Sequence, residues 1–137
     1  MAFWLFKSEP ASWSWQNQLA RGAMGEEWSG IRNYQARNNM RMMQLGDQGF
    51  FYHSNQGKEI VGVVAVCALS APDSTTDDPR WDCIQLKAIA PLKRPVSLQS
   101  CKAHPNLQNM ALVAFSRLSV QPVTKSEWDI IIAMSLT

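Results

Sequence analysis

Glycine-rich phosphate loops are missing from these 137 residues. The seven glycines are scattered, and neither a GxGxxG nor a GxxxxGK pattern occurs. Metal-site spacing is missing as well. Cys67, Cys83 and Cys101 are odd in number and form no CxxC pair, and His53 and His104 supply no zinc-ligand spacing. Reduced thiols in a reducing compartment, with no metal and no cofactor, are therefore expected. Long apolar runs are lacking too. The short one at residues 1–6 is cut by Lys7-Ser8-Glu9-Pro10, too early for a signal-peptide core or a membrane span. A soluble, intracellular protein with no membrane partner is the expectation, cytoplasmic, or nuclear if the source is eukaryotic. Nor is there a strong charge of either sign. A net charge of +2 and a pI near 8.5 permit nucleic acid without demanding it, so such binding would need a local patch and a pocket.

What is present is ordinary globular composition, 46% hydrophobic and 18% charged, in a chain of one-domain length. No repeat, linker or low-complexity stretch divides it, so residues 1–137 read as a single, monomeric domain. Six tryptophans are many for this length. Trp13, Trp15 and Trp28 sit in polar contexts and are the better candidates for a stacking surface, while the others suit a core.

Residues 2–7 read as a strand buried on both faces. Ser12 or Ser14 can cap a short helix to about Arg21, and residues 22–25 signal a loop. The clearest helix covers 32–45, with Ala36, Met40 and Met43 as its buried stripe and Gly46 as its C′ stop. Strands follow at 48–54, 59–69 with a bulge at Gly62, and 81–89, the last continuing through 91–96. Residues 70–80 form a polar loop. Short helices are expected at 98–103 and 110–116. Thr124 and Glu127 then form a capping box that opens a terminal helix to about Met134. The sum is an α+β chain: a small, curved mixed sheet or barrel with helices around it.

Between Trp28 and Asn55 the chain concentrates groups suited to reading flat polar molecules. On a helical wheel Asn33 and Arg37 lie along one edge of the apolar face, where polar heads can reach a pocket while their stems stay packed. Asn33 and Asn38 offer donor and acceptor together, and Arg37 offers a planar fork. In a regular strand His53 and Asn55 share one face while Tyr52 and Ser54 share the other, so a His53–Ser54 dyad, or a triad with Asp47, is geometrically unsupported. The acids Glu26-Glu27 and Asp77-Asp78 read as solvated loop residues, and Cys83 reads as core. No catalytic residue is assigned.

Trp4-Leu5-Phe6-Lys7-Ser8-Glu9-Pro10, the run from Trp28-Ser29-Gly30-Ile31-Arg32-Asn33-Tyr34 to Asn38, and Phe51-Tyr52-His53-Ser54-Asn55 closely resemble the EVE domain family. The likeness continues through Gly62, Trp81 and residues 118–123. It implies a PUA-like fold, related to the YTH domains that read a methylated RNA base. It also implies a non-enzymatic pocket for a flipped, modified base, with modified cytosine of the 5-methylcytosine type in DNA as occupant. A reader of methylated adenine in RNA is the alternative. An enzyme acting on a modified nucleotide or small metabolite, with His53 as acid or base, is the competing class. On this reading Trp28 stacks on the base. Lys7, Ser8, Asn33, Tyr34, His53, Ser54 and Asn55 complete the pocket, and Arg32, Arg37 and Arg41 hold flanking phosphates.

Overall fold

A computed structural model describes residues 1–115 and 117–137. Six strands form one sheet in the order β2-β5-β4-β3-β1-β6, with β1 at Phe3–Ser8, β2 at Glu26–Glu27, β3 at Gln48–His53, β4 at Glu59–Pro72, β5 at Asp82–Ser97 and β6 at Val120–Val123. The β1–β3 pair is parallel and the other pairs are antiparallel, so the sheet is mixed. It curves without closing into a barrel. Register shifts recur along β4 and β5, including one beside Gly62 as its bulge signal implied. Gly62 has a second reason to be glycine: a Cβ there would strike the Trp15 ring. Pro122 sits on β6, an edge strand, where a missing amide donor is tolerated.

Strand alternation gives the sheet two buried faces. Trp4, Phe6 and Phe51 join Trp15, Trp28, Ala36 and Met40 on one side. Leu5, Phe50 and Tyr52 join Trp128, Ile131, Cys101 and Leu107 on the other. The first strand is therefore apolar on successive residues because both of its sides meet a core.

Helix α1 (Trp15–Ala20) begins at Ser14, whose side chain closes a capping box with Asn17. Residues 22–24 are a 3-10 turn, not an open loop. Helix α2 runs Tyr34–Met42, with Ala36, Met40 and the C-cap Met43 buried as expected. It starts two residues later than the wheel assumed, because Asn33 is its N-cap: the Asn33 side chain accepts from the Ala36 amide at 2.9 Å. It also stops well short of Gly46, which instead takes φ +86° in the turn into β3. The buried Asp47 fixes that turn, accepting from the Gln44 amide at 3.0 Å and the Trp4 indole at 3.1 Å.

The C-terminal third holds α3 (Leu98–Ala103), α4 (Ala111–Ala114) and α5 (Lys125–Ser135). Ser116, the last residue of the predicted 110–116 helix, lies outside the described residues. The Thr124–Glu127 capping box at α5 is present in both directions. One further expectation is corrected: residues 70–72 continue β4. The stretches after Trp81 run on as one strand, β5, as expected, since bulges let a strand pass Pro91 and Pro95 without breaking. Among the described residues no helix is long and apolar enough to cross a membrane.

Candidate functional site

A cavity of about 350 Å³ opens where β1 ends, walled by the following 9–13 segment, by β2 and by the chain from Trp28 to Ile31. Lys7 and Ser8 form its floor, Trp13 and Trp28 its aromatic sides, and Glu26 and Glu27 its acidic wall. Glu9, Ser12 and Ser29 line it further.

The position of Trp13 follows from a chain of hydrogen bonds. The buried Ser8 hydroxyl donates to the Trp13 carbonyl at 2.5 Å. The Trp13 indole donates to Gln18 at 2.9 Å, and the fully buried Gln18 amide donates to the Leu86 carbonyl at 2.9 Å. Trp13 is thus pinned to the sheet, half-buried against the core while lining the cavity. Trp28 differs. It is only 6% exposed and packs edge-on against Phe6 and Phe51, so it is a core residue with one side on the cavity.

Charge in the cavity is asymmetric. Burial draws the Lys7 ammonium below its usual pKa. Glu26 pairs with Arg21 at 3.2 Å. Glu27 accepts from the Ser74 amide at 2.7 Å and hydroxyl at 2.9 Å, and from the Cys83 thiol. The Ser74 amide bond is the main cause that holds Glu27 below the ordinary carboxylate range. These two glutamates are strand residues, not the loop residues the sequence suggested, although both keep part of their surface in solvent. They form β2, pair with Leu86 and Gln85, and are half-buried because β5 draws them onto the sheet edge. Cys83 is core, 3% exposed, with burial pushing its thiol up.

Of the residues expected in a base pocket, the structure brings Lys7, Ser8 and Trp28 together on this cavity. Asn33 spends its side-chain oxygen capping α2 and lines a separate cavity with Gln35, Phe115, Arg117 and Leu118. Tyr34 stacks on Trp81 at 5.0 Å. His53 turns the other way: its Nε2 accepts the Trp15 amide at 3.0 Å, and burial lowers its pKa. Strand β3 ends at His53, so the shared face with Asn55 does not arise. Asn55 has φ +67° in the turn, and Ser54 donates its amide to the Ser8 carbonyl at 2.9 Å. Ser54 thereby supports the cavity floor from behind.

The three arginines expected on phosphates are already engaged. Arg41 makes two bonds to Asp82 at 2.7 and 2.8 Å. Arg32 pairs with Asp73 at 3.1 Å and lies 5.5 Å from the centre of the Trp81 ring. Arg37 bonds neutral acceptors, the Arg80 carbonyl at 3.0 Å and Asn38 at 2.7 Å, with its guanidinium 4.9 Å from the Tyr34 ring centre. Arg37 is the one of the three bonded to neutral acceptors instead of an aspartate.

Sequence reasoning missed Asp73. Burial raises its pKa, but bonds from Thr75, the Gly30 amide and Arg32 outweigh that and hold it at about 2. It locks the 73–81 loop to the Gly30 turn, one residue beyond a cavity wall. Apart from Thr75, two residues on, its partners Gly30 and Arg32 lie some 40 residues away, so no spacing in the chain marks it. Trp13, by contrast, carried a signal, a tryptophan among serines.

The EVE domain family matches residues 2–134. Thymocyte nuclear protein 1 of Mus musculus is 34% identical over 167 residues, covering 98% of this chain and 74% of its own length. A crystal structure of an Agrobacterium tumefaciens protein superposes with a TM-score of 0.97 at 56% identity, covering 98% of this chain and 93% of that one. The human THYN1 protein, solved in complex with 5-methylcytosine-containing DNA, gives a TM-score of 0.94 at 30% identity, covering 100% of this chain and 99% of the other.

Proposed function

The chain belongs to the EVE domain family, and from that premise we propose that residues 1–137 act as one non-enzymatic domain that takes a flipped, modified base into the cavity beside Trp13, with modified cytosine in DNA as its ligand. The observation that carries this reading is the cavity itself. It is near the lower end of small-ligand pocket volumes, and it joins an aromatic surface to hydrogen-bonding groups fixed by their own neighbours. A relative bound to 5-methylcytosine-containing DNA supports the same assignment.

The energetics are adequate. Flipping a base costs a few kcal/mol, and stacking on an aromatic side chain returns about 1–3 kcal/mol. An added methyl contributes roughly 0.8 kcal/mol when buried, which sets a preference of only a few-fold over unmodified cytosine. Trp13 is the stacking platform, Trp28 backs it from the core, and Lys7 and Ser8 meet the base edge. Arg37 meets a flanking phosphate.

Titration of oligonucleotides carrying one 5-methylcytosine or one cytosine tests this. Tighter binding of the methylated oligonucleotide, with roughly 10- to 100-fold loss in Trp13→Ala, is expected. Equal affinities that Trp13→Ala leaves unchanged would sink the reading.

A further inference from the structure

The cavity's polar groups point to more than aromatic stacking, and we infer that Glu26 is its specificity residue, accepting a hydrogen bond from the exocyclic amino group of the bound base. This rests on the base-reading assignment above and refines it.

The lining holds three carboxylates, Glu9, Glu26 and Glu27, against one ammonium, Lys7. Such an interior repels phosphate and favours a ligand that presents N–H donors. Glu9 is exposed, whereas Glu26 and Glu27 are half-buried, and acceptor capacity separates these two. A carboxylate offers about four lone-pair sites. Glu27 uses both oxygens, on the Ser74 amide, the Ser74 hydroxyl and the Cys83 thiol, so it anchors the 73–81 loop. Glu26 pairs with Arg21 through Oε1 alone.

Position agrees with capacity. Glu26 lies opposite Leu86 in the β2–β5 ladder. The Leu86 carbonyl takes the Gln18 amide, and Gln18 in turn takes the Trp13 indole. Glu26 thus stands next to the hydrogen-bond chain that fixes the stacking residue. A base held on Trp13 has this carboxylate at its edge.

The consequence is a sharp choice between two molecules of the same outline. 5-Methylcytosine and thymine share ring, methyl and shape. At position 4 the first carries an amino donor and the second a carbonyl acceptor. The carboxylate accepts from the amino group and leaves the carbonyl unpaired against a negative charge.

Matched oligonucleotides carrying a single unpaired 5-methylcytosine or thymine, titrated against the wild-type chain, provide the test. The wild type is expected to prefer 5-methylcytosine by about tenfold or more. Glu26→Gln, whose amide can donate to the carbonyl, is expected to bring the two within about twofold. Arg21→Gln breaks the same ion pair without altering the cavity wall, so it should keep the wild-type ratio and thereby separate loss of stability from loss of reading. Equal wild-type affinities, or a ratio that follows Glu27→Gln and not Glu26→Gln, would overturn the inference while leaving base reading intact. Failure to bind any oligonucleotide overturns both.

Discussion

At position 53 the imidazole holds the backbone amide of Trp15, not a ligand. A backbone N–H can only donate, so Nε2 must be unprotonated, and protonation would break the bond that sets the start of α1. Burial lowers the His53 pKa below its ordinary 6.5, opposed in part by Glu59. The folded state therefore prefers the neutral ring. Its contribution to stability is fully present above about pH 6.5 and is lost as pH falls through the lowered value. Thermal unfolding between pH 7.5 and 5 should show a fall in Tm for the wild type that is smaller in His53→Gln. Parallel curves for the two proteins would count against this role. The effect reaches the pocket, because α1 and the Trp13 indole share Gln18.

Among the elements, the loops decide the site and the helices were easier to foresee. The stripe of α2, the capping box of α5 and the apolar strands β1 and β3 were legible because each depends on residues close together in sequence. Asn33 shows why the pocket was not. The wheel put it on the edge of the helix, but it is the extended N-cap: the first turn of a helix has unpaired amides, and a side chain that can cap them locally does so before it can reach a ligand. Glu26 and Glu27 were hidden for the opposite reason: their strand exists only because β5, nearly 60 residues later, pairs with it. The loop after β4 depends on Asp73 in the same way. Removing its carboxylate as Asp73→Ala strands the Gly30 amide and the Thr75 hydroxyl. A loss of about 2–3 kcal/mol in unfolding free energy is expected by chemical denaturation, since the bonds are charge-assisted and the acceptor is buried. A change under 0.5 kcal/mol would mean the loop is held by other contacts.

For the whole molecule, charge sets what kind of binding is possible. The net charge is +2, and Arg21, Arg32, Arg41 and Arg80 are each tied to a carboxylate. Affinity should then come mainly from the pocket and little from counterion release. A plot of log affinity against log salt is expected to have a shallow slope, equivalent to about one to three phosphate contacts, and Arg37→Ala should reduce it by about one. A steep slope, equivalent to six or more contacts, would place the binding on a charged surface instead.

One feature of the sheet bears on how the chain reaches this state. Strand β1 lies between β3 and β6, so the second residue of the ladder, Trp4, is opposite Pro122. β1 is made well before β6, so its outer edge stays unpaired until β6 follows. Pairings this distant in sequence slow folding, and an apolar strand with an open edge is an invitation to associate with another chain. Lys7 and Ser8, at the tip of that same strand, gain their final setting only when the Lys7 amide finds the Ser119 carbonyl. A chain lacking β6 would expose an apolar strand edge and leave Lys7 and Ser8 without the setting the cavity needs.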